Sequence, residues 1–336
     1  MSESVSAKVD QLKANFVSGA TRSLEWRLAQ LKILQKLTID NKEQWLAALK
    51  SDLGKTSTEA DLSELVTLEG EIAHAINHVA SWMSDTPLSS SAALVPAFTR
   101  VRAEPRGVAL IIGPSNYPLN ITLGPLVGAL SAGCPALLKP SELCPATSDR
   151  IASLVPKYFG PEVVSVVEGG VDEVKNLLSR PWGTIFFTGS TRVGKIVAEA
   201  GAKTLTPCVL ELGGKNPVIV CDDGVDLSIM ARRLIWAKTF NAGQSCISPD
   251  YVLCTSQKLL EALAKALVAE IEATYGKTAE VMRTKSDLGR LVSTSVCATL
   301  GASCSRVHRP HRHLHPYTAS TPQTLADTCS RTHSAA

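Results

Sequence analysis

The stretch Val108-Ala109-Leu110-Ile111-Ile112-Gly113-Pro114-Ser115-Asn116-Tyr117-Pro118 decides how the rest of the chain folds. Five consecutive apolar residues that stop at Gly-Pro have no polar face to offer water, so they read as a strand buried on both sides that runs into a loop. Such a strand needs neighbours like itself. Residues 123–130 follow as a helix, Pro135-Ala136-Leu137-Leu138-Lys139-Pro140 as a second strand, residues 145–155 as a second helix, and residues 163–167 and 184–187 as further strands. Strands alternating with helices in steps of about 30 residues require parallel crossover connections and a doubly wound α/β sheet.

Ligands of such sheets bind where strands end and loops begin. The loops in question hold Asn116, Lys139 with Glu142, and Gly189 with Ser190, and all can converge on one crevice. Phe187-Thr188-Gly189-Ser190-Thr191-Arg192-Val193-Gly194-Lys195 follows a strand and opens a helix. Free N–H groups at a helix start bind phosphate, and glycine lets the backbone approach closely. The spacing also meets the first seven positions of a nucleotide-triphosphate loop, but the eighth, which should be Ser or Thr to hold magnesium, is Ile196. A dinucleotide is therefore favoured over a triphosphate, with a plain glycine turn as the structural alternative.

Further along, Cys208-Val209-Leu210-Glu211-Leu212-Gly213-Gly214-Lys215-Asn216-Pro217 puts a carboxylate at the end of an apolar strand before a Gly-Gly turn. Partial burial of Glu211 there would suit a general base, although a structural hydrogen-bond acceptor is the commoner role for such a residue. About one βα unit later comes Phe240-Asn241-Ala242-Gly243-Gln244-Ser245-Cys246. A cysteine in a Gly-containing turn after a helix can meet backbone N–H groups that favour a thiolate and hold an oxyanion. Taken alone such a cysteine is more often a buried core residue.

Upstream, residues 5–82 show apolar spacings of three and four with charged residues between them, the pattern of amphipathic helices. His74 and His78 lie one helical turn apart without a zincin-type Glu, which favours a solvated face over a metal site. Residues 83–106, with Pro87, Pro96 and Pro105 and three serines in a row, read as an extended connection or hairpin.

The 336 residues leave room for two domains and a large core, and 45% hydrophobic with 19% charged residues is ordinary globular composition. A net charge of +3 without lysine-rich blocks gives no electrostatic case for nucleic acid. Nine cysteines without a CxxC pair and a polar amino terminus point to reduced thiols and a cytoplasmic location. The apolar runs are far shorter than the roughly 20 residues of a bilayer span.

Five blocks together resemble the aldehyde dehydrogenase superfamily, most closely its class 3 branch of fatty and aromatic aldehyde dehydrogenases: residues 113–118, 138–142, 187–190 with 193–195, 210–215 and 241–246. The likeness covers residues 1 to about 294. It implies a Rossmann-like NAD domain over residues 108–210, preceded by its N-terminal helical part (1–85) and an oligomerisation arm (86–107), and followed by a partial catalytic domain (211–294). The resemblance also implies roles. Cys246 would be the nucleophile, the Asn116 amide and the Cys246 N–H would hold the oxyanion, and Glu211 would activate the hydrolytic water. Lys139 and Glu142 would hold the adenosine ribose, and Gly189, Ser190, Gly194 and Leu212 would complete the cofactor site. A carboxylate beside the ribose favours NAD, with NADP possible, and no metal is implied. The substrate class would be medium or long aliphatic, or aromatic, aldehydes.

Two departures stand out. Ser115 replaces the bulky aromatic residue of many relatives and opens the entrance of the site. Beyond Thr294, residues 297–336 hold five of the seven histidines, no lysine and a single acid, Asp327. That composition is expected of a shifted reading frame or altered splice, giving a disordered tail over residues 295–336 in which Cys304, His308, His311, His313 and His315 bind metal only adventitiously. A Glu-x-Phe-Gly-Pro segment, implied by the resemblance to hold the nicotinamide ribose, is missing. The expectation is then an incomplete catalytic domain, apolar strand edges near residues 218–220 and 251–253, a weakened family homodimer and slow turnover. The alternatives are a dinucleotide-binding or interaction protein without turnover and, less favoured, a cofactor-free thiol hydrolase.

Overall fold

The structure, a computed structural model, describes residues 4–221, 224–294 and 298. The tail expectations for residues 299–336, including the histidine group, lie outside the described residues. The described chain forms two compact units: residues up to 48 together with 60–212, and residues 49–59 together with the residues from 213 on.

The amino-terminal region is helical: α1 (Val5–Val17), α2 (Leu24–Asp40), α3 (Lys42–Leu53), α4 (Ser57–Ala60) and α5 (Val66–Trp82). Serines set the starts of the first two, because Ser4 Oγ accepts from the Ala7 N–H and Ser23 Oγ from the Trp26 N–H. Leu31, Leu34 and Leu37 form the buried stripe of α2. Between α4 and α5 the residues Asp61–Leu65 make a π-helical turn. On α5 the rings of His74 and His78 stack with centroids 4.0 Å apart and abut Trp82. Residues 83–106 contain a short antiparallel hairpin, β1 (Thr86–Leu88) and β2 (Thr99–Val101), largely exposed.

Five parallel strands then build the sheet of the first unit: β3 (Ala109–Ile112), β4 (Ala136–Lys139), β5 (Val164–Val166), β6 (Thr184–Thr188) and β7 (Cys208–Glu211). Their order is β5-β4-β3-β6-β7. The first strand formed thus lies in the middle, and the winding reverses between β3 and β6. The crossovers are α6 (Asn120–Ser131), α7 (Pro145–Tyr158), α8 (Val171–Leu178) and α9 (Thr191–Thr204).

Every residue of β3 and β4 is buried, as a strand covered on both faces requires. Val108, Leu110 and Ile112 share one core with Leu137, Ile185, Phe187 and Val197, and α1 contributes Val9 and Leu12 to it. Alternation along β3 leaves Ala109 and Ile111 to the other face.

In the second unit β8 (Asn216–Val220) and β9 (Pro249–Cys254) pair in parallel, joined through α10 (Leu227–Thr239) and a 3₁₀ turn at Phe240–Gly243. Helices α11 (Gln257–Tyr275) and α12 (Ala279–Lys285) follow. Val220, Leu234, Leu259 and Leu263 make its core, with Val218, Val252 and Cys254 packed against them. Apolar exposure in this sheet falls on alternate residues, Ile219, Tyr251 and Leu253, and not on whole strand edges. The pleat explains this, since the residues between them point at the helices. Among the described residues no helix is long and apolar enough to cross a membrane.

Candidate active site

Strand register gathers the first group of candidate residues. Ile112 pairs with Lys139 across β3 and β4 and with Phe187 across β3 and β6, so the loops carrying Asn116, Glu142 and Gly189 leave one end of the sheet side by side. Thr188 pairs with Glu211, and the Gly189 N–H donates to the Glu211 carbonyl at 3.0 Å, which brings Glu211 to the same end. The reversal of winding lies in the middle of this row, the position at which open α/β sheets bind ligands.

Lys139 is 2% exposed, and its Nζ donates to Glu142 Oε2. Burial pushes the Glu142 carboxyl up, but the Lys139 hydrogen bond, the backbone N–H and the Lys139 charge together hold it below the usual carboxylate range. The Glu142 carboxylate therefore loses its stabilising contribution only as pH falls through the lowered carboxyl value.

Ser190 caps α9, its Oγ accepting from the Val193 N–H at 3.3 Å, so the start of α9 is fixed with the positive end of its dipole at the loop. Gly194 is buried in the first turns of that helix, and a Cβ there would come within 2.7 Å of a Leu212 methyl. Two of the residues expected around a cofactor are thus in direct contact. Asn116 is half-buried, with its Oδ1 accepting from the Tyr117 N–H at 3.0 Å.

Glu211 needs a correction. The sequence reading expects partial burial, whereas its side chain is exposed. The reason is strand order: β7 is an edge strand whose burial alternates, with Val209 and Glu211 on the outward positions. Local apolarity at residues 208–212 carries no information about which strand ends at the edge.

Cys246 belongs to the second unit and is half-buried. The turn before it holds three successive residues in the left-handed region: Asn241 at φ 54°, Ala242 at φ 52° and Gly243 at φ 75°. Glycine takes that conformation freely, and asparagine tolerates it, but alanine there costs about 1–2 kcal/mol.

Several bonds within the unit hold the turn. Asn216 Nδ2 donates to the carbonyls of Cys246 at 2.8 Å and Ser248 at 3.0 Å. Gly214 lies so close that a Cβ would be 2.4 Å from the Cys246 oxygen. Gln244 Nε2 donates to the Arg290 carbonyl at 3.0 Å, while its Oε1 accepts from the Val292 N–H at 2.9 Å. The Arg290 guanidinium in turn donates to the carbonyls of Lys50 and Ser51 at the carboxyl end of α3, where the helix dipole favours a cation.

Sequence reasoning missed Asn216, Gly214 and Gln244 as framework residues, although all three stand inside the stretches it singled out. It also missed Glu64. This carboxylate is fully buried in the π-helical turn and accepts from the N–H groups of Leu119 at 3.1 Å and Asn120 at 2.8 Å, capping α6 three residues beyond Asn116. π-Helical turns of this kind recur at functional sites.

The model of the aldehyde dehydrogenase family matches residues 1–308. The chain belongs to the aldehyde dehydrogenase family. Within that family it is 45% identical over 291 residues to aldehyde dehydrogenase family 3 member B1 of Rattus norvegicus, an alignment covering 87% of this chain and 61% of that protein. The chain spans about three fifths of the length of the curated relatives it matches. Among solved structures, the substrate-bound state of Staphylococcus aureus AldH superposes with a TM-score of 0.84 at 33% identity, covering 90% of this chain and 65% of that one. AldC of Pseudomonas syringae, solved as a variant complexed with NAD+ and octanal, gives 0.76 at 25% identity over 89% of this chain and 60% of its own.

Proposed function

We propose that this aldehyde dehydrogenase chain serves the NAD(P)-linked oxidation of an aldehyde to a carboxylic acid, with Cys246 as nucleophile. The observation that carries the reading is the Cys246 turn. Left-handed backbone that persists at a non-glycine position has to be held by its surroundings, and such strain clusters at active sites. Here one of the bonds that hold this loop, from Asn216 Nδ2, ends on the carbonyl of the cysteine itself.

The chemistry assigned to the chain is as follows. The Cys246 sulfur bonds to the aldehyde carbon, and the charge on the former carbonyl oxygen is held by the Asn116 amide and the Cys246 N–H. A bound nicotinamide cofactor would supply the acceptor for the hydride that leaves this carbon. The thioester that remains on Cys246 is opened by water, whose proton Glu211 accepts, and the C–S bond breaks to return the thiolate.

Lys139, Glu142 and the start of α9 fit a dinucleotide. A buried ammonium with its carboxylate can engage ribose hydroxyls, the capped helix start can receive the diphosphate, and the Gly194–Leu212 contact leaves no room for a side chain beneath it. AldC, solved with octanal and NAD+, supports an aliphatic aldehyde and this cofactor. We assign the substrate to the medium or long aliphatic and aromatic aldehydes, the arm of residues 86–107 to self-association, and the location to the cytoplasm.

Limiting iodoacetamide followed by peptide mapping tests the nucleophile. Burial pushes the Cys208 and Cys254 thiols up, which leaves them poor nucleophiles near neutral pH, while Cys134 and Cys144 are buried. Cys246 is expected to label first, ahead of the exposed Cys221. Labelling of Cys221 or a strand cysteine before Cys246 would refute the assignment. For the cofactor, calorimetric titration should show saturable NAD binding, and Glu142→Ala should weaken NAD about tenfold while changing NADP less, since the carboxylate repels a 2′-phosphate. Equal losses for both cofactors would remove Glu142 from the ribose site.

A further inference from the structure

We propose that Glu59 is a positioning residue for the Cys246 turn: its carboxylate accepts the Asn241 N–H and thereby holds Asn241 and Ala242 in left-handed backbone. The inference rests on the reading of Cys246 as nucleophile, and its geometry lies within the second unit.

Glu59 stands 182 positions from Asn241 in sequence, and its Oε1 takes the Asn241 N–H. Its own backbone is anchored, the Glu59 N–H donating to Thr56 Oγ1 at 3.2 Å. Asn241 is 1% exposed, so its N–H has no recourse to water, and a buried N–H without an acceptor is disfavoured. The same residue closes the turn internally: its Nδ2 donates to the Gln244 carbonyl at 3.2 Å, and its own carbonyl accepts from the Gln244 N–H at 3.0 Å and from Gln244 Nε2 at 3.1 Å. The bond to Glu59 comes to this turn from the Leu49–Glu59 stretch, and it enters at the first left-handed residue.

The carboxylate is kept there against a cost. Burial pushes the Glu59 carboxyl above the usual range, opposed by the Asn241 N–H and by the charge of fully buried Lys55, while Asp287 adds to the upward push. A raised folded-state value means that ionised Glu59 lowers stability above that value and that the penalty is relieved as pH falls below it. A helix position open to any apolar side chain would avoid this penalty. Retaining an acid at such a position is explained by what it accepts, the N–H of a strained turn.

Gln244 links the turn to Arg290 and Val292, Asn216 fixes the cysteine carbonyl, and Glu59 fixes the entrance. With the entrance released, Asn241 and Ala242 can relax toward negative φ, which shifts the direction in which residues 244–246 leave the turn. The sulfur then moves although no group touching it has changed.

The test compares Cys246 with Cys221 in the same tube, by limiting iodoacetamide and peptide mapping, alongside hydrogen exchange of the peptides covering residues 240–246. Glu59→Ala should lower the Cys246-to-Cys221 labelling ratio about tenfold, the factor for one lost hydrogen bond. It should also speed exchange in residues 240–246 and leave α11 unchanged. Glu59→Gln, whose amide carbonyl still accepts the Asn241 N–H, should recover most of the ratio. Ala242→Gly, which removes the side-chain cost of positive φ, should shrink the effect of Glu59→Ala, and this double variant serves if Glu59→Ala alone folds poorly. An unchanged or raised ratio in Glu59→Ala, or a loss in Glu59→Gln as large as in Glu59→Ala, overturns the proposal. If unmodified Cys246 labels no faster than Cys221, the nucleophile assignment fails instead, and hydrogen exchange alone then decides whether Glu59 holds the turn.

Discussion

Cys246→Ala is expected to lower aldehyde-dependent NADH formation by at least a thousandfold, and to abolish the acyl adduct that intact-mass spectrometry should detect on the unmodified chain after mixing with NAD and octanal. The size follows from the role proposed for the residue. Loss of a covalent nucleophile removes the step on which all later ones depend, and such losses are larger than those from any single orienting contact. The adduct measurement matters as much as the rate, because it reports the thioester on Cys246 even where its release is slow. Glu211→Gln should separate the two steps: the adduct forms and persists while acid production falls. Equal rates in the chain and in Cys246→Ala, or an adduct mapped to another cysteine, would dismantle the mechanism.

The second large effect concerns stability. Glu64→Ala is expected to lower the unfolding free energy by roughly 2–6 kcal/mol, since it leaves one buried and one part-buried N–H group without their acceptor at about 1–3 kcal/mol each. The Leu119 and Asn120 N–H groups that Glu64 serves cap a helix whose own N-cap residue supplies no side-chain acceptor. Of a typical total of about 5–15 kcal/mol this is a large share. Urea unfolding followed by far-ultraviolet circular dichroism gives the measurement, and Glu64→Gln, which keeps one acceptor oxygen, should lose less than half as much. A change under about 1 kcal/mol would show that the cap is dispensable. Because α6 begins four residues after Asn116, the same substitution should also loosen the loop assigned to the oxyanion.

The central strands were legible because their chemistry is local. An unbroken run at residues 108–112 closed by Gly-Pro, and another at 136–138 closed by Lys-Pro, have few readings other than strands buried on both faces. Once those are strands, parallel topology carries Asn116, Lys139, Glu142 and Gly189 to one edge without further information. The exposure of Glu211 was not legible, because it depends on β7 ending the sheet and no residue near 211 records that.

Glu59 and Glu64 were hidden for a different reason. In an amphipathic pattern polar residues belong outside, and these two point inward because their partners lie in other elements, tens to hundreds of positions away. The left-handed turn was half visible, since Asn241 and Gly243 favour it and Ala242 does not. Chain length against relatives added something that periodicity cannot: the family match reaches residue 308, past the composition change that the sequence reading placed after Thr294.

The crossing of the chain between its two units, at 48/49, 59/60 and 212/213, bears on how the protein is made. Synthesis delivers the amino terminus first, so residues 49–59 leave the ribosome more than 150 positions ahead of the β8–β9 segment with which they are grouped. Through that interval Glu59 has no Asn241 to serve. The first unit can close around its five-stranded sheet during translation, whereas the second is obliged to finish after its last strand appears. A nascent chain stalled between residues 60 and 213 is therefore the species on which a chaperone would find the most to hold.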